Sequence, residues 1–393
     1  MTYEDFASAQ SFFLWSIFAI ALIMGAVVNK TNFCTMGAVS DWVNMGDTGR
    51  LRAWMLAIAV GVLGVTALEA AGLVNVTSTF PPYRQTNLAW LENVLGGVLF
   101  GIGMTLASGC GNKTLIRIGG GNLKSVMVLL VIALIAYFMI NPFPGSDKTL
   151  YSTLFYAWTN PAAVALSTNQ DLGAMLFGDD VATGRMVAGG VIGVLLLAWA
   201  FKSADFRGSF DNILGGLVVG LAVLAAWYVT SNVMVNADGE MMSLQSYVQD
   251  WELYAPADAV RPAATGPLAA QSFTFINPMG QTLGYAASGF DRTLLTFGIM
   301  ALAGVVAGSL LWSLVSRSFR IEWFASSSDF VNHLIGAILM GFGGVLAMGC
   351  TIGQGITGFS TLALGSILTL IAIVLGSAAT MKVQYALMMR AEG

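Results

Sequence analysis

Residues 93–110 read NVLGGVLFGIGMTLASGC, and residues 333–350, HLIGAILMGFGGVLAMGC, align with them without gaps at an offset of 240. Eight pairs are identical, and besides Leu99/Leu339 they are Gly96/Gly336, Gly101/Gly341, Gly103/Gly343, Leu106/Leu346, Ala107/Ala347, Gly109/Gly349 and Cys110/Cys350. In each copy an apolar run stops at Gly-Cys, a short polar or glycine-rich segment follows (111–114 and 351–355), and a second apolar run begins. This pattern predicts a helix, a re-entrant half-helix and a second spanning helix in each copy.

The rest of the chain has the composition of an integral membrane protein. Of 393 residues, 56% are hydrophobic and 10% are charged, whereas soluble proteins carry about 25% charged residues. This balance excludes a soluble enzyme, a nucleic-acid-binding protein with a basic face and a disordered scaffold. A helix needs about 20 largely apolar residues to span a bilayer. Nine runs qualify: 11–28, 53–73, 91–108, 124–141, 185–201, 211–230, 293–315, 331–348 and 363–381.

These runs predict an all-α integral membrane protein with about nine transmembrane helices, forming a single polytopic domain over residues 1–393. Because Lys and Arg are retained on the cytoplasmic side of a membrane, their distribution predicts the orientation. Twelve of the 17 Lys and Arg residues lie after odd-numbered helices. The N-terminus is therefore expected outside and the C-terminus inside, with the long connections 142–184 and 231–292 facing outward.

The two copies of the repeat are expected to be inverted in the membrane. The first begins in the third predicted span and the second in the eighth, which cross in opposite directions. The repeat halves are centred on 91–141 and 331–381. Inverted repeats with polar breaks near the midplane form the substrate sites of many transporters, so the pattern favours transport. A third, weaker copy of the motif runs from Gly25 to Cys34, with the same spacing of nine residues that separates Gly101 from Cys110.

All three cysteines of the chain lie at these breaks: Cys34, Cys110 and Cys350. A lone cysteine in a membrane helix is usually a small apolar packing residue, but three at matching positions favour a functional site. With no Cys-x-x-Cys pair and a single histidine, His333, the sequence gives little support to a zinc or iron–sulfur site. A structural disulfide would leave one cysteine over. Thiols are weak donors and polarisable, which suits a sulfur-rich anion.

Polar and glycine neighbours of the cysteines are the other candidates for substrate contact. Lys113 could attract an anion or could simply follow the positive charge bias of the inner face, and Arg117 is expected to do the latter. His333 is expected at the membrane interface. The candidate substrate-binding residues are Cys34, Cys110, Cys350, Gly109, Gly349, Asn112, Lys113, Thr351 and Gln354.

Three separated blocks of this chain resemble the YeeE/YedE (sulfur transport domain) family. They are residues 29–38 (NKTNFCTMGA), residues 107–110 with 117–121, and residues 341–355 (GFGGVLAMGCTIGQG). The resemblance implies a protein of the bacterial inner membrane, shaped like an hourglass, whose two re-entrant plugs meet near mid-membrane. It further implies that Cys34, Cys110 and Cys350 hand thiosulfate inward through S–H···S contacts, and that a small TusA-like sulfur-carrier protein is a partner.

The leading hypothesis is uptake of thiosulfate, or a closely related sulfur anion, by a protein that is not an enzyme and needs neither a cofactor nor a metal. One alternative is a membrane sulfurtransferase that forms a cysteine persulfide, and another is a transporter of a selenium compound. A metal permease is disfavoured by the single histidine and by the lack of acidic residues in the breaks. Besides the anion and the carrier, the lipid bilayer is the expected partner, and nucleic acid is not.

Overall fold

A computed structural model of the protein describes residues 1–178, 180–256, 259–262 and 268–392. The α-helices in this part of the chain are α1 Phe6–Thr31, α2 Thr35–Ser40, α3 Gly49–Ala70, α4 Trp90–Leu106, α5 Gly111–Gly119, α6 Leu123–Ile140, α7 Leu150–Leu154, α8 Tyr156–Thr159, α9 Leu172–Phe177, α10 Val181–Phe201, α11 Ala204–Gly208, α12 Phe210–Asn232, α13 Leu244–Gln249, α14 Trp251–Tyr254, α15 Ile276–Ala287, α16 Phe297–Val315, α17 Ser327–Leu346 and α18 Leu364–Glu392. Two π-helices, Asp41–Met45 and Gly353–Gly358, and two 3₁₀ turns, Asn160–Ala162 and Arg292–Leu294, complete the helical elements described.

Only short strands accompany the helices in the described residues. They are β1 Thr2–Tyr3, β2 Asn87–Leu88, β3 Val164–Ala165, β4 Met234–Ala237 and β5 Glu240–Ser243. The first sheet has the order β1-β4-β5, with β1 parallel to β4 and Thr2 opposite Met234. The second pairs β2 with β3 in antiparallel register. These sheets join only the N-terminal segment and connections between helices, and the candidate membrane spans are helical, so the protein is an all-α integral membrane protein.

Nine stretches of the described chain are long and apolar enough to cross a membrane, which confirms the nine predicted spans. Two spans exceed their predicted lengths by far more than the others. The first reaches from Phe6 to Met45 and the third from Trp90 to Gly119, because each contains a break at a cysteine followed by further helical turns.

The contacts at the helix ends sort the connections onto two faces. The Met1 amino group donates to the Asn232 carbonyl at 2.9 Å, and the Asn232 side chain donates to the Leu73 carbonyl at 2.7 Å. The ends of α3 and α12 therefore share the face of the N-terminus, which we call the N-terminal face. At the opposite face, the C-terminal face, the Leu123 amide donates to the Glu322 carbonyl at 3.0 Å. This contact joins the turns that precede α6 and α17.

The matched glycines of the repeat make reciprocal contacts between α4 and α17. A Cβ atom on Gly96 would lie 2.7 Å from the Gly343 carbonyl oxygen, and one on Gly336 would lie 2.6 Å from the Gly103 carbonyl oxygen. Gly96 is equivalent to Gly336 by the offset, and Gly103 to Gly343. The contact of Gly96 with Gly343 is therefore repeated by the contact of Gly336 with Gly103, as a two-fold axis requires. The two helices run antiparallel with their backbones in contact.

The helix that follows each copy packs against the opposite copy's first helix. In α4, the Asn93 side chain donates to the Thr369 hydroxyl of α18 at 3.1 Å. In α17, Asp329 pairs with Lys124 of α6 at 2.7 Å. The helices α4, α6, α17 and α18 thus form an interlocked group, and α1 with α16, and α3 with α10 and α12, pack around it.

A buried ion cluster fixes the turn ahead of α18 at the N-terminal face. Arg84, whose side chain is 1% exposed, binds Glu69 at 2.6 Å and donates to the Thr361 carbonyl at 2.9 Å. Arg185 binds Asp171 at 2.8 Å. Burial raises the pKa of Asp171, but the hydrogen bond from Arg185 and the charge of Arg84 outweigh burial and leave the pKa below its usual value. The pairing neutralises charges that would be costly to bury singly.

Substituting either glycine of an equivalent pair should destabilise the protein by a similar amount. We expect Gly96→Ala and Gly336→Ala each to lower the free energy of unfolding by about 1–3 kcal/mol, because the added methyl group meets backbone that cannot rotate away. Gly190→Ala is the matched control, since a Cβ there has no atom within 4 Å. In an interior helix position this control should be neutral or stabilising by up to about 1 kcal/mol.

The measurement is thermal unfolding followed with a thiol-reactive dye, because all three cysteines are buried in the folded protein. A Gly96→Ala protein as stable as the Gly190→Ala control would contradict the reciprocal packing.

Candidate functional site

Both copies of the repeat end their first helix with the same backbone turn. The residue before Gly-Cys has a positive φ in each, 56° at Ser108 and 55° at Met348. The next residue, Gly109 or Gly349, donates its amide back to a helix carbonyl at 2.8 Å. This left-handed ending satisfies carbonyl groups that would otherwise be orphaned inside the membrane. The chain then leaves each helix in the same direction and delivers a cysteine at the same point.

These endings lie inside the membrane. The backbone amide of Ala107 packs against Gly336, which is nine residues into α17. At 1.5 Å per residue, α4 stops ~13 Å before the level at which α17 begins. The nine residues of α5 supply the rest of the crossing, and the turn after α5 pairs with residues 320–322 at the C-terminal face. A half-helix therefore follows Cys110 as predicted, but it completes the crossing that α4 begins and does not return to the face from which α4 enters.

Each cysteine begins a helical segment. Cys34 is the N-cap of α2 and its sulfur accepts the Gly37 amide at 3.5 Å. Cys350 precedes the helical turns 351–360, and its sulfur accepts the Gly353 amide at 3.4 Å. Cys110 is the N-cap of α5 without a side-chain capping bond. Because the first amides of a helix lack partners within that helix, each cysteine lies beside partial positive charge.

The three thiols form a series between the two faces. The Cys110 thiol is close enough to both Cys34 and Cys350 to interact with them electrostatically, and its side chain lies beside Thr351. Cys350 is the neighbour of Tyr83, which comes from a connection at the N-terminal face. Cys34 is 6% exposed, Cys110 is 2% exposed and Cys350 is fully buried. The order from the N-terminal to the C-terminal face is thus Cys350, Cys110, Cys34.

Buried polar atoms without hydrogen-bond partners gather around these thiols. Seven such side-chain atoms occur in the described residues, and six belong to residues beside the cysteines or their segments. They are the hydroxyls of Thr35, Thr274 and Thr351, the amide oxygens of Asn112 and Gln354, and the indole nitrogen of Trp54. An unpaired buried polar group costs about 1–3 kcal/mol. Their concentration at one place therefore indicates a site built to receive a polar ligand.

All nine predicted substrate-binding residues lie at or next to this series of thiols. A Cβ on Gly109 would lie 3.0 Å from Cγ of Lys113, and one on Gly349 would lie 3.2 Å from Cγ of Gln354, so both glycines let the next helix approach. Gln354 also donates to the Ala347 carbonyl, which leaves its amide oxygen unpaired.

Two connections from the N-terminal face cover Cys350, and the sequence reasoning did not predict them. The Tyr83 hydroxyl donates to the Gly353 carbonyl at 2.9 Å, and the Thr357 hydroxyl donates to the Phe273 carbonyl at 2.7 Å. Phe273 and Phe275 are fully buried. A signal was available, because residues 262–290 contain no charged residue, which is unusual for a solvated connection.

The C-terminal face has a cavity of about 560 Å³ that reaches toward the site. Lys113 lines this cavity and donates to the Asn32 side chain at 3.2 Å. Asn32 ends α1, two residues before Cys34. The lysine therefore stands between the cavity and two of the three thiols. The site is approached from the C-terminal face and covered at the N-terminal face.

Arg50, which lies beside Cys34, and His333, which does not, are each paired with an aspartate. Arg50 binds Asp41 through two hydrogen bonds, so its charge is neutralised locally. His333 lies near the start of α17, against Asp329 at 3.0 Å, and its location at the membrane interface stays a prediction. Within the described ranges, no group of three or more His, Cys, Asp or Glu residues is arranged to hold a metal ion. The groups that surround the site and could contact a ligand are thiols, amides and hydroxyls.

Comparisons of the sequence with known proteins identify its family. A sequence model of the family described as sulphur transport matches residues 30–379. The thiosulfate transporter TsuA of Escherichia coli (strain K12) is 25% identical over 346 residues, which cover 85% of this chain and 84% of that protein. The thiosulfate transporter TsuA of Spirochaeta thermophila is 22% identical over 375 residues, which cover 93% of this chain and 97% of that protein. The chain belongs to the sulphur transport family, that is, to the YeeE/YedE proteins.

Proposed function

We propose that this protein takes up thiosulfate, or a closely related sulfur anion, across the bacterial inner membrane. The observation that carries the proposal is the series of three buried thiols surrounded by polar atoms that lack partners. The two relatives named thiosulfate transporters support the choice of substrate. The repeat halves centred on 91–141 and 331–381 would act together as one transmembrane domain, with the site between them.

Three weak sites in series suit passage better than one strong site. A transported ion must bind well enough to enter and weakly enough to leave. A thiol donates only a weak hydrogen bond, and it contacts a polarisable sulfur atom favourably. The anion would pass from Cys350 to Cys110 to Cys34, exchanging one S–H···S contact for the next, and no covalent bond would form. Helix amides beside each thiol would offset the negative charge.

The polar residues would hold the oxygen atoms of the anion while the thiols hold its terminal sulfur. Thr351 lies beside Cys110, and Asn112 is 3% exposed in the first turn of α5. Gln354 and Gly349 belong to the Cys350 segment, and Lys113 and Gly109 to the Cys110 segment. Lys113 would supply a full positive charge between the thiols and the cavity, where it draws the anion toward the C-terminal face.

The C-terminal face is proposed to be cytoplasmic. Twelve of the 17 Lys and Arg residues follow odd-numbered spans, and this bias is typical of cytoplasmic connections. The N-terminus and the connections 142–184 and 231–292 would then lie outside, the second of them folding partly inward over Cys350. A small TusA-like sulfur-carrier protein is the proposed partner at the cytoplasmic face, where it would receive the imported sulfur.

The first test compares the uptake of four anions. Purified protein in liposomes should accumulate thiosulfate faster than sulfite, selenite or sulfate, because only thiosulfate presents a terminal sulfur to the thiols. Uptake of each labelled anion over time gives the order. Faster accumulation of selenite than of thiosulfate would contradict the assignment and favour a selenium transporter.

Replacing the central thiol is the second test. Cys110→Ala should reduce thiosulfate uptake in liposomes to the level of empty liposomes, because the gap between Cys350 and Cys34 is then unbridged. The matched control is Ser231→Ala, which also removes one buried side-chain heteroatom but lies at the N-terminal face, beside Asn232. This control should transport normally. Full uptake by Cys110→Ala would overturn the relay.

Intact-protein mass spectrometry after incubation with thiosulfate separates the relay from the sulfurtransferase alternative. The relay predicts an unchanged mass, and a persulfide would add one sulfur atom to a cysteine.

Labelling from each face tests the closure over Cys350. In single-cysteine variants in sealed vesicles, a charged thiosulfonate reagent should modify Cys34 from the C-terminal face. Cys350 should be protected from the N-terminal face, because Tyr83 and the 268–275 segment cover it. Tyr83→Phe removes the bond to the Gly353 carbonyl and should make Cys350 more reactive from that face. Rapid labelling of Cys350 without this substitution would contradict the closure.

A further inference from the structure

The cavity at the C-terminal face carries a net positive charge, which the three thiols do not provide. Four cationic side chains line it, namely Lys30, Lys113, Arg117 and Arg320, and Glu322 is the only acidic residue among its lining residues. The lining therefore carries a formal charge of four minus one, or +3. A concave surface of one charge sign concentrates ions of the opposite sign.

Two of these cations have no partner of their own. In the described part of the chain, the side chains of Arg117 and Arg320 make neither an ion pair nor a hydrogen bond, whereas the Glu322 carboxylate accepts from the Asn122 side chain at 2.6 Å. Lys113 and Arg117 lie close enough to repel each other. Lys30 is only loosely paired, with Asp211 at 3.8 Å. Unneutralised guanidinium groups facing one cavity leave room for an anion.

Neutral polar side chains complete the lining, although the Asn29 amide already donates to Ser309 and Ser313, and the Ser316 hydroxyl to the Trp312 carbonyl. The hydroxyl-bearing side chains of Ser313, Ser316 and Ser318 face the cavity together with Asn29. Guanidinium, ammonium and hydroxyl groups match the oxygen atoms of a tetrahedral dianion. No cysteine lines this cavity, so nothing in it distinguishes a sulfur atom from an oxygen atom.

We propose that this cavity is a second anion site, which binds doubly charged tetrahedral oxyanions by charge. It lies on the inner side of Lys113 and receives the transported anion after the last thiol. This inference rests on the proposed direction of uptake, but the binding itself does not depend on transport. Because the site recognises charge alone, sulfate entering from the C-terminal face occupies it as well as thiosulfate does and competes with release.

Sulfate binding is the direct test, since sulfate lacks the terminal sulfur that the thiols require. Radiolabelled sulfate should bind to the purified protein in phosphatidylcholine nanodiscs, and binding should weaken with added salt. Arg117→Gln combined with Arg320→Gln should weaken binding by about tenfold or more, equivalent to about 1.4 kcal/mol. Arg317→Gln is the matched control, because Arg317 is exposed and lies outside the lining. Its binding should equal that of the unchanged protein.

Three further measurements distinguish this anion site from the thiol relay and from a lipid-binding site. Cys110→Ala should lose thiosulfate uptake and still bind sulfate, so failure of the relay and failure of the anion site give different results. Unweakened sulfate binding in the double arginine variant would overturn the site. Nanodiscs containing phosphatidylglycerol should bind sulfate equally well. Loss of sulfate binding in them would assign the cavity to lipid headgroups and overturn its assignment to a free oxyanion.

Discussion

A helix that stops inside a membrane must satisfy its own backbone, because no water is available to do so, and this constraint shapes the whole protein. At both breaks the carbonyl end is closed by a left-handed residue, Ser108 or Met348. The amide end that follows begins at a cysteine. A sulfur atom is a weak acceptor, so it caps the helix only loosely, at 3.4 Å for Cys350. An aspartate there would have neutralised the amides, whereas a thiol leaves their partial charge available to a passing anion.

The helices around these breaks pack with two-fold symmetry, but the segments at the two ends of the site differ from each other. Gly96 and Gly336 occupy equivalent places where α4 and α17 touch, and this reciprocity places both breaks at comparable depth from opposite directions. The turns after the breaks are held differently. Backbone contacts with residues 320–322 hold one turn, beside the open cavity. The buried Arg84 cluster holds the other, close to the segment that covers Cys350. Two-fold packing thus brings the two breaks together, and the unrelated connections determine which end of the site is covered.

Much of this could be predicted from sequence because it depends on local pattern. Apolar run length gave the nine spans, and the repeat gave the breaks, the inverted packing and the gathering of Cys34, Cys110 and Cys350. The cover over Cys350 could not be predicted in the same way. Tyr83 and Phe273 reach it through hydrogen bonds between residues far apart in the chain, and neither belongs to a periodic segment. Likewise, no spacing rule joins Arg84 to Asp171, since burial and three-dimensional proximity alone make them partners.

Two selection principles are separated along the proposed path. Thiols favour a polarisable sulfur atom but distinguish charge poorly, because an S–H group carries no net charge. Unpaired guanidinium groups select for negative charge but do not distinguish a sulfur atom from an oxygen atom. Placing Arg117 and Arg320 among the thiols would hold an anion too tightly to let it move on, since a charge pair strengthens as the surroundings become less polar. In a water-filled cavity the same charges attract an anion without trapping it. Lys113, between the two regions, belongs to both, which explains why a lysine is tolerated so close to two buried thiols.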